Sequence, residues 1–339
     1  MGQLLCRAIL WLGFSDRSLI RLYHSKKVSM QNDLTQTPIL VTGAHRSGTT
    51  WVGKMLGADA DTAYISEPLN VLHRPGVFRA KVKRWYQYIC DENESEYLPA
   101  FHSLLDYDYH LMDEIRAIRS RKDFLRMGRD FMIFYTALEH GQRALLKDPF
   151  AVFSVPWFAK KLNCQIVITV RHPAAFASSL QRLGWNFDFK DLLDQPLLMR
   201  DHLEAHREEM TAIKADDVIG QASLLWKLIY ASVHTSLSLN PDFKLVRHED
   251  FSRDPINKYR DLYATLGLGF TSRVQKFITN SSSSENPTEL SLKKTHSVKL
   301  DSAANIKNWR KRLSESEIKR IRTLTEGVLE LFYSNEDWE

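Results

Sequence analysis

Five short apolar runs along the chain predict buried β-strands. Two of them, Ile39–Thr42 and Gln165–Val170, are rich in β-branched residues, and three weaker runs lie at Thr62–Ser66, Ala144–Leu146 and Phe243–Val246. Between these runs apolar residues recur at helical spacing. Strands that alternate with helices predict an α/β fold with a parallel sheet and with helices on both of its faces.

Helices are predicted where apolar residues recur every three or four positions. The predicted helices span Gly48–Leu56, Val152–Leu162, Ala174–Leu183, Ile219–Leu237, Leu262–Leu266 and Ser314–Tyr333. Ser314 stands three residues before Glu317, which is the spacing of a capping box. The serine-rich stretch 279–298 is predicted to be a loop.

Two long stretches carry no strand signal, and we interpret them as helical insertions. Residues 75–140 are rich in aromatic and charged residues, with helical periodicity at Leu111–Ile118 and Phe124–Leu138. Residues 185–216 form the second insertion. Such insertions often cover the acceptor side of an α/β enzyme, so we expect both near the acceptor site.

The composition fits a globular protein and argues against several other classes. The 339 residues are 44% hydrophobic and 26% charged, which suits one large α/β domain or two small ones. The net charge of +5 suits an anionic ligand, but no dense basic stripe with interleaved aromatic residues indicates nucleic-acid binding. Cys6, Cys90 and Cys164 show neither disulfide nor metal-ligand spacing, so we predict a cytoplasmic protein without a metal site.

The N-terminal segment, residues 1–37, combines an apolar stretch with basic residues. Leu4–Phe14 is interrupted by Arg7 and is too short to span a bilayer. Together with basic residues as far as Lys27, it forms an amphipathic pattern over residues 4–27. Two interpretations stay open, namely a helix that docks on the protein or on a partner, and peripheral contact with a membrane.

The stretch from Gly43 to Trp51 has the layout of a phosphate-binding loop. It follows the first strand, is bounded by Gly43 and Gly48, and leads directly into a helix. Backbone amides and the helix N-terminus converge on an anion in such a loop. A nucleotide-hydrolysing P-loop has a lysine after its second glycine, but here Thr49 stands there and the cation is Arg46, inside the loop.

Charged residues follow three further predicted strands. Glu67 follows the second strand, Lys147 the third and Arg171 the fourth. Because the carboxyl ends of parallel strands meet at one edge of a sheet, we expect Gly43–Arg46, Glu67 and Arg171 to face the same crevice. Ser179 lies about two helical turns beyond Arg171, so that an arginine fork and a hydroxyl can hold one anion together.

These motifs resemble those of sulfotransferases that use 3′-phosphoadenosine 5′-phosphosulfate (PAPS), in particular the carbohydrate-type and bacterial branch. The loop Arg46–Trp51 resembles their 5′-phosphosulfate loop, and Arg171-His172-Pro173 with Ser179 resembles their 3′-phosphate motif. Two weaker similarities lie at Leu245–Pro255 and Asn308–Ser314. The resemblance implies a P-loop-like three-layer fold, with one domain over residues 38–339 that includes both insertions.

The resemblance also implies a reaction and roles for individual residues. A sulfonate group passes from PAPS to an acceptor hydroxyl by in-line displacement, without a metal ion. Arg46 neutralises the bridging oxygen and Glu67 is the first choice of base, with His73 in reserve. Lys147 can orient the sulfonate or form an ion pair with Asp148 or another neighbour. The implied nucleotide-binding residues are Arg46, Ser47, Gly48, Thr49, Thr50, Trp51, Arg171, Ser179, Trp309 and Arg310.

Several alternatives stay open. A P-loop kinase or nucleotide hydrolase needs a lysine after Gly48 and a carboxylate for Mg²⁺, and neither is evident. A non-catalytic relative that binds a nucleotide or a glycan is the third reading. Trp51 can lie against the adenine or pack in the core, and His45 can touch a substrate or shape the turn.

The acceptor itself is a glycan, a small molecule or another alcohol, and the sequence does not choose among them. Aromatic residues of the first insertion can stack on the acceptor or pack the insertion. They are Trp85, Tyr86, Tyr88, Tyr107 and Tyr109.

Overall fold

The computed structural model describes residues 36–289 and 299–339. All five predicted strands are confirmed, and their ends shift by no more than one residue. The strands are β1 (Ile39–Gly43), β2 (Thr62–Ser66), β3 (Arg143–Lys147), β4 (Gln165–Val170) and β5 (Lys244–Arg247).

The strands form one parallel sheet in the order β2-β3-β1-β4-β5. β1 lies in the middle, with Leu40 aligned with Leu146 of β3 and with Ile166 of β4. The chain passes to β2 and β3 on one side of β1 and then crosses to β4 and β5 on the other. The carboxyl end of β1 is therefore a topological switch point, where open parallel sheets bind their ligands.

Helices surround the sheet, and the two insertions are largely helical. In the described residues the helices are α1 (Thr49–Leu56), α2 (Leu98–Leu105), α3 (Leu111–Ala117), α4 (Arg121–His140), α5 (Val155–Leu162), α6 (Pro173–Leu183), α7 (Lys190–Leu193), α8 (Pro196–Leu198), α9 (Arg207–Ala212), α10 (Val218–Leu239), α11 (His248–Arg253), α12 (Pro255–Leu266), α13 (Ser272–Ser282) and α14 (Glu315–Thr325). Short 3₁₀ or π segments lie at Glu94–Glu96, Pro149–Ser154, Met199–Leu203, Glu204–His206, Asn308–Lys311, Leu329–Leu331 and Asn335–Trp338.

The sheet is buried on both faces, which confirms the three-layer architecture. Alternate residues of one strand enter different cores, since successive side chains of a strand point to opposite faces. Leu40 belongs to the core that also contains residues of α5, α6 and α10. Ile39 and Val41 belong to the second core, which contains residues of α1, α12 and α13.

The prediction of a loop over 279–298 is wrong for its first residues, because α13 extends to Ser282. The side chain of Thr271 caps this helix by accepting the Val274 N–H at 3.3 Å. Val274 and Ile278 bury an apolar face of the helix, which stabilises it despite the serines that follow. Part of the predicted loop, residues 290–298, lies outside the described residues.

The last helix is shorter than predicted. Its capping box at Ser314 and Glu317 is confirmed, but the helix ends at Thr325 rather than near Tyr333. Glu326 leaves the helical conformation with a ψ of 146°, and Gly327 follows with a positive φ of 81°. A positive φ suits glycine and ends a helix.

Two other helices begin at different residues from those predicted. α12 begins at Pro255 instead of Leu262, because the Asp254 side chain caps it and a proline suits the first helical position. The segment from Pro149 to Ser154 is a 3₁₀ turn, and α5 begins only at Val155.

Residues 1–35 lie outside the described residues, and with them the predicted amphipathic segment 4–27. Within the ranges 36–289 and 299–339, no helix is long and apolar enough to cross a bilayer.

Candidate functional site

The loop after β1 turns tightly because Gly43 lies against β4. Gly43 has a φ of 137°, and a Cβ atom at this residue would stand 2.3 Å from the carbonyl oxygen of Thr169. Only glycine fits such an approach. The loop is then fastened from below by Ser47, whose hydroxyl donates to the Ala44 carbonyl at 2.5 Å and lies 2.6 Å from the Thr169 hydroxyl. The Ser47 side chain is thus used inside the turn, and its predicted part in nucleotide binding stays a prediction.

The start of α1 forms the predicted cradle. Gly48 caps the helix with a positive φ of 102°. No side chain caps this helix end, and the first backbone amides of an α-helix have no partner within the helix itself. Such amides at a helix N-terminus carry partial positive charge and are suited to an anion.

Arg46 links the loop to α6. It is held in a left-handed conformation with a φ of 68°, and its Nε donates to the Ser179 hydroxyl at 3.1 Å. Burial, with the positive charges of Arg171 and Arg182, lowers the pKa of Arg46 to about 10. The structure therefore brings together Arg46 and Ser179, which the sequence placed in two separate motifs.

Arg171 completes this group at the carboxyl end of β4. Its Nη1 donates to the Arg46 carbonyl oxygen at 3.3 Å, while its Nε is buried without a hydrogen-bond partner. Burial is the main reason that the pKa of Arg171 is lowered, although Glu249 opposes this shift. A buried guanidinium with an unused donor suits an anionic ligand, because an unmet hydrogen bond is costly.

Two further arginines extend the positive charge along α6, and sequence reasoning missed both. The Glu289 carboxylate lies 3.7 Å from Nη1 of Arg182 and 2.5 Å from Nη2 of Arg312. Nη1 of Arg312 lies 3.5 Å from the Ser178 hydroxyl oxygen. Arg182 follows Ser179 by one helical turn on the same helix, and this spacing was a usable signal.

The two C-terminal residues predicted to bind nucleotide are packed against protein. Trp309 stacks on His172, the neighbour of Arg171, with ring centroids 5.4 Å apart and planes inclined by 11°. Arg310 donates to the carbonyl oxygen of Trp338. Trp309 therefore packs against the turn that carries Arg171. The Arg310 side chain instead forms its hydrogen bond near the C-terminus. Contact of either residue with a nucleotide stays a prediction.

Glu67 and Lys147 meet at the carboxyl ends of β2 and β3. The Lys147 Nζ, on a side chain that is 2% exposed, forms an ion pair with the Glu67 carboxylate. The other carboxylate oxygen accepts the Asn70 side-chain amide at 2.7 Å. One of the two roles considered for Lys147, an ion pair, is present with Glu67 as its partner, while its orientation of the sulfonate stays a prediction. The residue that holds Glu67 from the other side, Asn70, was missed because nothing in the sequence marks it.

Asp148 fastens the loop that carries Glu67. Its two carboxylate oxygens accept the Leu69 N–H at 2.6 Å and the Phe150 N–H at 3.0 Å. Burial raises the pKa of Asp148 to about 7, against the two backbone hydrogen bonds that lower it. The buried Asp148 side chain is therefore a structural part of the site, because it holds Leu69, two residues after the candidate base Glu67.

His73 and Trp51 are held in ways that favour structural roles. The His73 Nδ1 lies 2.8 Å from the Asn70 carbonyl oxygen, and burial lowers the pKa of its imidazole. His73 and Glu67 thus both bond Asn70. Trp51 is 9% exposed and packs edge-on against Tyr259 with ring centroids 5.5 Å apart. Core packing, one of its two open roles, is thus present, while contact with an adenine stays a prediction.

His45, the residue before Arg46, joins the loop to the first insertion. Its Nδ1 is 2.6 Å from the hydroxyl oxygen of Tyr86. Burial and the charge of Arg46 lower its pKa to about 4, while Glu67 opposes the shift. Tyr86 comes from the first insertion, and its contact with the loop had no sequence signal, because the two residues are joined only by the fold.

The other aromatic residues of the first insertion divide into packed and exposed ones. Tyr86 is fully buried and Tyr88 is buried, and the Tyr107 hydroxyl donates to the Gln142 carbonyl at 2.7 Å. Trp85 is partly exposed, as is Trp185 at 43%. Trp185, from the second insertion, lies beside His45 and under the Arg46 guanidinium. An exposed aromatic ring therefore borders the loop.

In residues 36–289 and 299–339, no group of three or more His, Cys, Asp or Glu side chains could hold a metal ion.

Comparison with known proteins gives the family. A sequence model of the sulfotransferase family matches residues 38–272, well over half of the chain, and the chain belongs to this family.

Individual relatives are more distant. The chain is 24% identical to carbohydrate sulfotransferase 5 of Mus musculus over 331 residues, which cover 86% of the chain and 79% of that protein. It is 34% identical to carbohydrate sulfotransferase 1 of Danio rerio over 103 residues, and it spans only 24% of that protein's length. Among solved structures, mouse sulfotransferase SULT7A1 complexed with PAP matches with a TM-score of 0.45 and 12% identity, over 91% of this chain and 88% of that one.

Proposed function

We propose that this member of the sulfotransferase family transfers the sulfonate group of PAPS to an acceptor hydroxyl. The observation that carries the proposal is the meeting of Arg46, Arg171 and Ser179 beside the start of α1. A helix N-terminus and two partly buried arginines form one strongly anion-selective surface. PAPS carries phosphate groups at both ends of its ribose, and this surface offers separate donors for each of them.

The donor is held by two groups of donors. The 5′-phosphosulfate binds to the amides of Gly48, Thr49 and Thr50 at the start of α1. The 3′-phosphate binds to Arg171, whose Nε is buried without a partner, and to Ser179. Arg46 lies between the two groups and neutralises the bridging oxygen, which gains negative charge as the sulfonate leaves.

The chemical step is an in-line displacement at sulfur. The acceptor oxygen forms the new O–S bond while the bond between sulfur and the bridging oxygen breaks, and 3′,5′-adenosine bisphosphate (PAP) departs. The acceptor proton passes to the carboxylate of Glu67. A transferring sulfonate carries less negative charge than a phosphoryl group, so positioning and the arginines supply the stabilisation that Mg²⁺ supplies to kinases.

The environment of Glu67 supports its proposed role as the base. Lys147 on one oxygen and Asn70 on the other hold the carboxylate in one orientation. A carboxylate that is held in one orientation is suited to accept the proton of a bound hydroxyl. The side chain is 23% exposed, so an acceptor can reach it.

The proposed acceptor is a glycan. The carbohydrate sulfotransferases of Mus musculus and Danio rerio support this choice. The exposed ring of Trp185 beside the loop also supports it, because an aromatic face suits the apolar face of a sugar ring. Small alcohols remain in the acceptor screen described next.

The test measures transfer from labelled PAPS to a panel of oligosaccharides and simple alcohols. Glu67→Gln should keep the affinity for PAP within about twofold and lower transfer by about 100-fold or more, as expected for loss of a general base. Glu208→Gln, on an exposed carboxylate of α9, is the control and should transfer normally. Full transfer by the Glu67 variant would show that another group is the base.

A further inference from the structure

The imidazole of His45 contacts the buried hydroxyl of Tyr86, and this contact determines which ring nitrogen carries the proton. The His45 backbone N–H donates to the hydroxyl oxygen of Tyr86 at 3.3 Å, and the Nδ1 of the same histidine lies 2.6 Å from that oxygen. Tyr86 is 0% exposed, so its hydroxyl hydrogen needs an acceptor within the protein. Since Nδ1 is that acceptor, a neutral His45 carries its own proton on Nε2.

Tyr86 is itself held firmly from the second insertion. The Asp191 carboxylate accepts the Tyr86 N–H at 3.1 Å, and the Gln195 side-chain amide donates to the Tyr86 carbonyl at 2.9 Å. The rings of Phe150, Phe153 and Phe187 pack against it at centroid distances of 5.7 to 5.8 Å. The hydroxyl thus has a fixed place beneath the loop.

The position of His45 places it at the reacting atoms of the proposed transfer. It precedes Arg46, the proposed contact of the bridging oxygen. It is also close enough to Glu67, the proposed base, for the charge of Glu67 to affect the pKa of the His45 imidazole. Because its pKa is lowered to about 4 by burial and by Arg46, the ring is neutral at physiological pH. Phe176 and Trp185 border the ring at centroid distances of 5.5 and 6.4 Å.

We propose that His45 is a catalytic residue that donates a hydrogen bond from Nε2 to the transferring sulfonate, and that Tyr86 is the positioning residue that fixes this tautomer. The inference rests on the proposed function. The His45 proton stays on Nε2 throughout, because the acceptor proton goes to Glu67 and the electron pair of the breaking bond goes to the bridging oxygen. A fixed donor that needs no rearrangement stabilises the charge that spreads over the sulfonate oxygens.

The tautomer is measured first, by ¹⁵N NMR of the imidazole nitrogens in the full chain, with His45→Asn to identify the signals. The expected spectrum shows an unprotonated Nδ1 and a protonated Nε2 for His45. A protonated Nδ1 would overturn the proposal. This readout does not depend on activity, so it stands even where the proposed transfer fails.

Two tyrosine variants then separate the fixing of the tautomer from the support of the turn. Tyr86→Phe removes the hydroxyl beneath His45. The matched control, Tyr230→Phe, removes a hydroxyl that bonds backbone groups beside the same turn. This hydroxyl accepts the Ala44 N–H at 3.4 Å and donates to the Thr169 carbonyl oxygen at 2.9 Å. The tautomer should change in Tyr86→Phe and be kept in Tyr230→Phe.

Turnover is followed without a known acceptor, as the release of labelled sulfate from PAPS by water. Tyr86→Phe should lower kcat about tenfold and His45→Ala about 100-fold, in the range found for removal of one stabilising donor, while PAP binds within about twofold of the parent. An unchanged kcat in Tyr86→Phe, or an equal loss in Tyr230→Phe, would overturn the proposal. If the parent chain neither binds PAP nor turns over PAPS, the proposed function fails instead.

Discussion

The ammonium group of Lys147 is buried against the carboxylate of Glu67, which joins the ends of β2 and β3 at the proposed reacting centre. The backbone of Glu67 has a left-handed conformation, with a φ of 56°. Non-glycine residues in this conformation persist only where the surrounding structure holds them. The pair therefore orients the carboxylate, and its loss should affect stability and transfer together.

Lys147→Met tests the ion pair. The variant leaves Glu67 without its cation, so we expect the free energy of unfolding to fall by about 2 kcal/mol, less than for a fully buried pair because Glu67 is partly exposed. The double variant Lys147→Met with Glu67→Leu should recover part of that loss, since no unpaired charge remains. Denaturant unfolding of the four proteins measures this. A double variant less stable than both single variants would contradict the account.

Gly53 lies on α1, and its missing side chain leaves space for the side chain of Lys147. A Cβ atom at Gly53 would stand 2.8 Å from the Lys147 Cγ and 3.0 Å from a ring carbon of Tyr64. Gly53→Ala should therefore destabilise the protein by about 1–3 kcal/mol, as overpacking does. Gly128→Ala on α4 is the matched control, because nothing lies within 4 Å of its Cβ position. There the gain in helix propensity should stabilise the protein by about 0.5–1 kcal/mol. Thermal unfolding separates the two signs.

Ser179 holds the Arg46 guanidinium and is a proposed ligand of the 3′-phosphate. Ser179→Ala should weaken PAP binding about tenfold, which corresponds to one charge-assisted hydrogen bond. The neighbouring Ser178→Ala loses only a 3.5 Å contact with Arg312 and should change the affinity less. Calorimetric titration of both variants measures the difference, and equal affinities would contradict the proposed role of Ser179.

Glu289 competes with an incoming anion for two arginines. Its carboxylate pairs with Arg182 and Arg312 on side chains that are partly exposed. In Glu289→Gln these cations lose their counter-charge, so PAP should bind about fivefold more tightly, the equivalent of ~1 kcal/mol for an exposed pair. Glu285→Gln, in the same exposed stretch, is the control. Weaker PAP binding by the Glu289 variant would mean that this carboxylate assists the donor site.

The raised pKa of Asp148 should make the stability of the folded protein depend on pH. Its pKa is raised by burial from 3.8 to about 7 in the folded protein. The folded state therefore holds a proton that the unfolded state has already released, so this contribution is fully present below pH 3.8 and is lost as the pH rises through about 7.

Asp148→Asn removes that titration. Between pH 5 and pH 7 the stability of the parent should fall relative to the variant, by at most about 1.4 kcal/mol per pH unit. The variant loses one backbone acceptor and is less stable overall, so the slopes are compared and not the absolute values. Parallel stability curves for the two proteins would contradict the raised pKa.

The strands and the charged residues at their ends were predictable because each depends on a local pattern. Gln165–Val170 is a continuous β-branched run, and the end of such a run in a parallel sheet places Arg171 at the ligand edge. Arg46 and Ser179 were found in separate motifs, and the fold confirms that they meet.

The contacts that shape these groups depend on residues far apart in the chain. Tyr86 lies 41 residues from His45 and comes from a part of the first insertion that lies outside its two periodic segments. The sequence left the ion-pair partner of Lys147 open between Asp148 and another neighbour, and the strand order places Lys147 beside Glu67. Helix ends were misplaced where capping decided them, as at Asp254 and Gly327.

The most direct test of the central claim is calorimetric titration of the full chain with PAP, compared with ATP and Mg²⁺. The account predicts tight binding of PAP that is lost in Arg171→Ala, with weak or no binding of ATP. Tight binding of ATP with no response to PAP would contradict the account and support a P-loop kinase or nucleotide hydrolase instead.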